Sequence, residues 1–312
     1  MAGYHPGEIA VQRRAALSDQ AALSDQAALS EGAFHEEIPA IAADFLAAQR
    51  WLVLGAADDR SDVWCSLLTG PPGFLRPHGG RTLDIAALPR TDDPLADVLR
   101  ARPARIGALA IEPGTRRRMR INGTTTPLKD GDTGGLRLEA AQVFANCPKY
   151  IQRRSPAPSR AEADTTVEDD RLTDTQMDLV RRSDTFFIAT TDGSGDADAN
   201  HRGGSPGFLR AHSPTLLRWP DYVGNAMFTT LGNLWLDPRA GLLIPDWESG
   251  GLLRLTGTAH VLWGEEPGDR TVEFSIDRVL STSSGGLIAE GVPHYSKFNP
   301  PVLPAVPRGV PR

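Results

Sequence analysis

The chain repeats itself at a fixed interval of 134 residues. Matches that keep their order at one shift, and that are rich in proline, glycine and phenylalanine, indicate two copies of one domain. Glycine at the same place in both copies is typical of tight turns and close backbone approaches. We therefore expect two β-rich halves in a pseudo-twofold relation. The matching segments and residues are PGFLR-x-H at 72–78 and 206–212, RINGT at 120–124 and RLTGT at 254–258, Gly107 and Gly241, and Leu109 and Leu243.

Length and composition agree with two turn-rich domains. The chain has 312 residues, enough for two domains that each bury a core, and it contains 31 glycines and 25 prolines. Residues 155–171, SPAPSRAEADTTVEDDR, contain no large apolar residue except Val167 and are typical of a linker. The predicted organisation is an N-terminal arm at 1–33, a first domain at 34–154, a linker at 155–171, a second domain at 172–298 and a Pro-rich tail at 299–312.

Local patterns predict several elements. The arm contains the hexad AALSDQ almost three times at 15–32; a period of six does not keep one face of a helix, so we expect weak helicity and no chemistry there. Apolar spacing predicts helices over 39–50 and 172–182. The remaining predicted elements are strands at 51–56, 63–68 and 185–191, with a turn at 192–196.

Charge and cysteine usage bound the partners and the compartment. The net charge is −6 and the pI is about 5.7, which gives no electrostatic reason to expect nucleic acid. No apolar run reaches the length of a membrane span, and no signal-peptide core precedes residue 20, so no membrane partner is expected. Cys65 and Cys147 lie far apart, which favours a cytoplasmic protein over a disulfide scaffold.

The segment RGGSPGF at 202–208 is the first candidate site. Arg202 directly precedes Gly203 and Gly204, whose backbone amides could converge on an anion while the guanidinium bonds two of its oxygens. A bulged strand pair with a solvated Arg202 is the alternative.

Three further segments carry open alternatives. The pairs Gly224-Asn225 and Gly232-Asn233 are either turn residues or contacts for a planar ligand. If residues 116–120 are extended, three arginines share one face, either as a charged sheet edge or as an anion site facing the other domain; we favour the edge for Arg116 and leave Arg118 and Arg120 open. Cys147, beside Lys149, is more typical of a structural thiol than of a reactive one.

Common catalytic motifs are missing from the sequence. It has no G-x-G-x-x-G between a strand and a helix, no phosphate-binding Walker loop and no G-x-S-x-G elbow. Neither H-E-x-x-H nor a zinc-spaced Cys/His set occurs, so no metal site is predicted.

Taken together, the motifs resemble a known superfamily. RGGSPGF (202–208), PDYVGN (220–225), TLGNLWLDPRAGLL (230–243) and LRLTGTAHVLW (253–263) are similar to segments of the pyridoxamine 5'-phosphate oxidase-like FMN-binding split barrels. RRRMRING (116–123) and NCPKYIQRR (146–154) of the first copy resemble the same subgroup of related flavoproteins. The resemblance covers residues 34–276, but no match occurs for the lysine that follows the equivalent arginine in the true oxidases.

The resemblance implies a mainly β (α+β) fold: two tandem six-stranded antiparallel split β-barrels with a few short helices. It implies FMN at the interface of the barrels and a flavin-dependent oxidoreductase that passes electrons or hydride to a small organic acceptor. NAD(P)H as the donor and a homodimer are further expectations. No catalytic acid or base is named. The cofactor-binding residues that it implies are Arg202, Gly203, Gly204, Ser205, Asn225, Thr230 and Asn233.

Two other functions remain open from the sequence. The domain could be a non-catalytic binding module for flavin, deazaflavin or haem, or a structural dimer whose pocket has been lost. Bound colour separates the last from the others, and steady reduction by a nicotinamide separates an enzyme from a binder.

Overall fold

Antiparallel strands dominate the protein. The computed structural model describes residues 3–16, 34–128, 134–145, 148–159, 166–265 and 268–302. The first sheet contains β1–β7, which span Trp51–Ala57, Val63–Thr69, Leu75–Pro77, Thr82–Ile85, Ala104–Glu112, Arg117–Leu128 and Gly135–Ala145. The second sheet contains β9–β16, which span Val167–Asp169, Thr185–Thr191, Ala197–Gly203, Arg210–Ser213, Leu216–Pro220, Arg239–Pro245, Leu252–Trp263 and Arg270–Thr282. A small third sheet pairs β8, Ala157–Pro158, with β17, Leu287–Ile288.

The helices are short. They are α1 at Pro6–Ala16, a 3₁₀ turn at Ala40–Ala42 continued by α2 at Ala43–Ala47, α3 at Ala96–Ala101, α4 at Asp174–Arg182 and α5 at Thr229–Leu236. Within the described ranges no helix is long and apolar enough to cross a membrane.

The two large sheets have the same strand order. The first runs β2-β1-β5-β6-β7-β4-β3 and the second β11-β10-β14-β15-β16-β13-β12, so each strand of the second takes the place of the strand numbered nine lower. In addition, β9 pairs with β16. The mainly antiparallel β architecture predicted from the sequence is confirmed, with seven and eight strands in the large sheets where the resemblance implies six.

The repeat also holds at the level of single residues. The ladder between β6 and β7 has a bulge between Asn122 and Gly123, and the ladder between β15 and β16 has one between Thr256 and Gly257, 134 residues later. A Cβ on either bulge glycine would clash with the carbonyl oxygen of the strand facing it. The close approach of the two backbones therefore explains why both copies have glycine there.

The two halves pack against each other through their central strands. Gly55 of β1 lies against Ala189 of β10, its equivalent in the repeat; a Cβ on Gly55 would be 2.6 Å from the Ala189 Cβ. Gly107 of β5 and Gly241 of β14, also equivalents, each meet the backbone of the other half where a Cβ would clash. An apolar cluster with residues from both halves surrounds these contacts, including Trp51 and Phe187, whose rings are 5.8 Å apart. This contact places β6 of the first half against β11 of the second.

Most local predictions agree with the structure. The hairpin of β1 and β2 and the strand β10 lie where the sequence places them. Helix α4 begins after Thr173, which forms a capping box with Gln176. The predicted linker contains β8 and β9 among its described residues, and the helix predicted over 39–50 ends at Ala47. Residues 17–33 with nearly all of the hexad repeat, 146–147 with Cys147, and 303–312 lie outside the described residues.

Candidate functional site

A cleft opens where β11 and α5 of the second half face β6 of the first half. Its empty space, including the mouth, is about 790 Å³, within the range of small-molecule sites. Both halves contribute to its walls, so the cleft exists only because the two copies pack together. Four basic side chains line it, namely Arg118, Arg120, Lys149 and Arg202.

Arg202 has hydrogen-bonding capacity to spare. Its Nη2 atom lies 3.5 Å from Oδ1 of Asp221, and its buried Nε atom has no hydrogen-bond partner. The Asp221 carboxylate is held more closely by Arg270, with 3.1 Å between Nε and Oδ2. Because Arg270 already balances the carboxylate, the Arg202 guanidinium can face an anion in the cleft.

The arginines of β6 are not at a sheet edge. Strand β6 lies between β5 and β7, so the edge interpretation of residues 116–120 is wrong. Arg120 forms a buried ion pair with Asp198 of the other half, and Arg118 donates to the His201 carbonyl oxygen at 3.5 Å. Arg116, just before the strand, instead donates to the Ile151 carbonyl oxygen at 2.8 Å. Two of the three arginines thus face the partner half at the cleft.

The electrostatics of the cleft are visible at His201. Burial holds the pKa of its imidazole well below the usual value, and the positive charges of Arg118, Arg202 and Arg154 lower it further. A neutral imidazole beside three guanidinium groups marks a local excess of positive charge, which attracts an anionic ligand.

Helix α5 starts at the cleft. Thr229 and Thr230 of its first turn line the wall, and its N-cap residue, Phe228, provides no side-chain cap. A helix N-terminus favours negative charge because its amides and its dipole point outward. The backbone on the approach is strained: Ala226 and Phe228 have φ of 57° and 56°. Tyr150, also in the wall, has φ of 65°. Such strain is often found at ligand sites.

Aromatic residues form another part of the wall. The rings of Tyr150 and Tyr222 are 5.1 Å apart at an angle of 42°, and the Tyr150 hydroxyl donates to the Val223 carbonyl oxygen at 2.8 Å. Phe208 and Phe228 line the same space. The cleft therefore combines a cationic end with flat apolar surfaces.

Four of the seven predicted cofactor-binding residues line the cleft, namely Arg202, Gly203, Asn225 and Thr230. Gly203 has a packing reason, because a Cβ there would clash with the Tyr150 carbonyl oxygen. Thr230 accepts a hydrogen bond from the Asn200 side chain at 3.1 Å. Asn225 accepts one from the Met227 amide at 3.3 Å, which is turn geometry.

The other three predicted residues lie beside the cleft. Gly204 donates its amide to the Asp184 carbonyl oxygen at 3.0 Å, and Ser205 begins the turn that closes at Phe208. The buried Asn233 donates to Thr190 of β10 at 3.0 Å and faces away from the cleft.

The equivalent position in the other half has no such cleft chemistry. At the shift of 134 residues, polar cleft residues correspond to apolar residues of the first copy. The pairs are His201 and Leu67, Arg202 and Leu68, Asp221 and Ala87, Thr229 and Leu95, and Thr230 and Ala96.

One ion pair fills the centre of this equivalent position. Arg254, the equivalent of Arg120, lies 3.4 Å from the buried carboxylate of Asp93. Asp93 also accepts a hydrogen bond from the Ser66 hydroxyl at 2.6 Å. The protein's own carboxylate thus balances the arginine, and Leu68, Leu95 and Ala96 pack as buried core. One copy retains a cleft and the other is closed.

Several cleft residues are not among the sequence predictions, notably Lys149, Tyr150, His201, Asp221 and Tyr222. The sequence does contain a signal for three of them: in the repeat, His201, Asp221 and Tyr222 are polar where the first copy has Leu67, Ala87 and Leu88. A duplicated domain that differs at clustered polar positions indicates where the two copies have different roles.

Comparisons with known proteins give remote similarities. No family model matches the chain, and no curated protein matches it. Among solved structures, a candidate pyridoxamine 5'-phosphate oxidase from Lactobacillus delbrueckii is similar at 19% identity and a TM-score of 0.31, covering 36% of this chain and 97% of its own. The HupZ protein of Group A Streptococcus is similar at 16% identity and a TM-score of 0.31, covering 38% and 99%. An FAD-binding protein from Mesorhizobium loti is similar at 10% identity and a TM-score of 0.28, covering 39% and 100%.

Proposed function

We propose that the cleft binds one molecule of FMN per chain and that the protein is a flavin-dependent oxidoreductase. The observation that supports this most is the meeting of arginines from both halves with the N-terminus of α5 at a single cleft. The motif resemblance supplies the identity of the ligand, and the cationic and aromatic walls agree with a phosphate joined to a flat ring.

The phosphate is assigned to the cationic end. Arg202 would bond it with its free donors, assisted by Arg118 and the first turn of α5, where Thr230 lies. The ring is assigned to the aromatic wall formed by Tyr150, Tyr222 and Phe228. Arg120 would contribute positive charge from behind, since Asp198 already occupies its guanidinium.

Bound flavin would supply hydride or single-electron transfer to a small organic acceptor. The residues of the cleft would orient it and set the electrostatics around it. Asp221 is the one carboxylate in the described lining, and two arginines hold it. Burial keeps His201 neutral and raises the pKa of the Tyr222 hydroxyl. The walls therefore favour binding and positioning over proton transfer.

This scarcity of acid–base groups is also the observation that favours the second candidate, a flavin-binding module without turnover. Steady oxidation of NADH or NADPH by the FMN-loaded protein, with quinones as trial acceptors, is expected for the enzyme. Reduction of bound flavin that stops after one equivalent would indicate the binding module.

The experiment that tests the proposal is a titration of the purified protein with FMN, followed by flavin fluorescence and calorimetry. One FMN per chain is expected, because Leu67 and Leu68 replace His201 and Arg202 at the equivalent position. Two per chain would refute the closed copy, and no binding would refute the flavin assignment. Riboflavin, which lacks the phosphate, is the matched control and should bind at least tenfold more weakly, because a charge-assisted hydrogen bond contributes about 1.5–3 kcal/mol.

A further inference from the structure

The N-terminal helix packs directly on the helix that begins at the cleft. Val11 and Ala15 of α1 are fully buried, and Val11 belongs to the core of the second half. Gly7 of α1 and Gly232 of α5 meet so closely that a Cβ on Gly7 would clash with the Gly232 carbonyl oxygen, and one on Gly232 would be 2.6 Å from the Glu8 amide. Backbone contact of this kind fixes the position of one helix on the other.

The same helix bonds the strained segment before α5. The side-chain amide of Gln12 donates to the Ala226 carbonyl oxygen at 3.2 Å. Ala226 and Phe228 are both left-handed, a conformation that costs a non-glycine residue free energy and persists only where its surroundings impose it. Gln12 is one of those surroundings.

The residue between them is held by the arm as well. Met227 lines the cleft and is buried in a small cluster with Phe34 and Phe144. Tyr4, from the residues before α1, packs on this cluster with its ring 5.3 Å from that of Phe34. The N-terminal arm therefore contacts the segment 226–228 both through Gln12 and through Tyr4.

We propose that residues 4–12 are part of the ligand-binding site: docked on α5, they hold the segment 226–228 in the conformation that shapes the cleft wall, with Gln12 as a positioning residue. This rests on the proposed function, since the ligand whose affinity it sets is the FMN assigned to the cleft. By linkage, bound FMN would in turn favour the docked arm.

The test compares two glycine-to-alanine variants of the arm. Gly7→Ala keeps or raises helix propensity but blocks the contact with Gly232. Gly3→Ala is the matched control, because a Cβ at Gly3 would have no atom within 4 Å. In the ligand-free protein, the amides of 226–231 should exchange about tenfold faster with solvent in Gly7→Ala and at the wild-type rate in Gly3→Ala.

FMN affinity provides the second measurement. Gly7→Ala should weaken FMN binding about tenfold, while Gly3→Ala should not change it. Gln12→Met, which keeps the length of the side chain and removes its donor, should weaken binding about fivefold with the melting temperature of the ligand-free protein unchanged. Arg13→Ala, on the exposed side of α1, is its control. A purely structural Gln12 would instead lower the melting temperature and leave the affinity of the folded protein unchanged.

The outcomes separate the two proposals. Wild-type exchange rates in Gly7→Ala, or faster exchange with unchanged FMN affinity, would overturn the role of the arm. If the wild-type protein binds no FMN, the proposed function fails, and the exchange rates of 226–231 alone decide whether the arm holds the cleft wall.

Discussion

Replacing Arg202 by alanine is the sharpest test of where the phosphate binds. The guanidinium is 22% exposed, its Nε is unpartnered, and its contact with Asp221 is long at 3.5 Å. Losing a charge-assisted pair of hydrogen bonds costs about 1.5–3 kcal/mol, so FMN affinity should fall about 10- to 100-fold. Arg202→Lys should be intermediate, because an ammonium group retains the charge but cannot bond two oxygens in parallel.

The same change should not destabilise the ligand-free protein. Burial lowers the pKa of Arg202, and the nearby Arg120 and Arg270 oppose its charge, so its removal relieves repulsion. Asp221 keeps its closer partner, Arg270. We expect an unchanged or higher melting temperature together with weaker binding, measured by calorimetry and FMN fluorescence. Arg182→Ala, at an exposed ion pair on α4, is the control. Unchanged FMN affinity in Arg202→Ala would show that the phosphate binds elsewhere.

Three further predictions concern the framework that carries the cleft. Burial raises the pKa of Glu8 from 4.5 to about 7, so the folded chain keeps a proton that the unfolded chain releases; stability should fall as pH rises from 4.5 to 7, by on the order of 3 kcal/mol, and urea unfolding of Glu8→Gln should lack this loss. Asp198→Asn should cost about 3–5 kcal/mol by leaving Arg120 buried without its partner, and the double variant with Arg120→Met should recover most of it; additive losses in a double-mutant cycle would contradict the pairing. Gly107→Ala should cost more than about 1–3 kcal/mol in urea unfolding, because its Cβ would meet the Asp198 backbone, whereas Gly3→Ala should cost nothing measurable.

Local sequence patterns predicted much of the secondary structure. The hairpin of β1 and β2, the strand β10 and the cap of α4 at Thr173 follow from alternation and capping chemistry, which act over a few residues. The repeat predicted two similar halves, since residues that occupy equal environments are retained at equal spacing. Glycines such as Gly107 and Gly241 belong to this group, because the close approach that excludes a Cβ occurs in both halves.

The membership of the site could be predicted only in part. Arg202 and Gly203 stand out because a basic residue before glycines suggests an anion site within one segment. Asn233 carries the same kind of local signal, yet its amide serves Thr190, since the direction of a helical side chain depends on which face of α5 packs on β10. Tyr150 carries no local signal at all; the packing of the first half on the second brings it to the wall.

The sequence by itself determined that the protein is built from two copies of one β-rich unit, where their strands and bulges fall, and which arginine is placed for an anion. Tertiary structure decided that β6 is a central strand, so that Arg118 and Arg120 face the other half. It also decided that one of two equivalent positions is a cleft while Asp93 closes the other. The physical reason is that these properties belong to contacts between segments distant along the chain, whose pairing is set by the burial of two large apolar sheets against each other and not by any short stretch of residues.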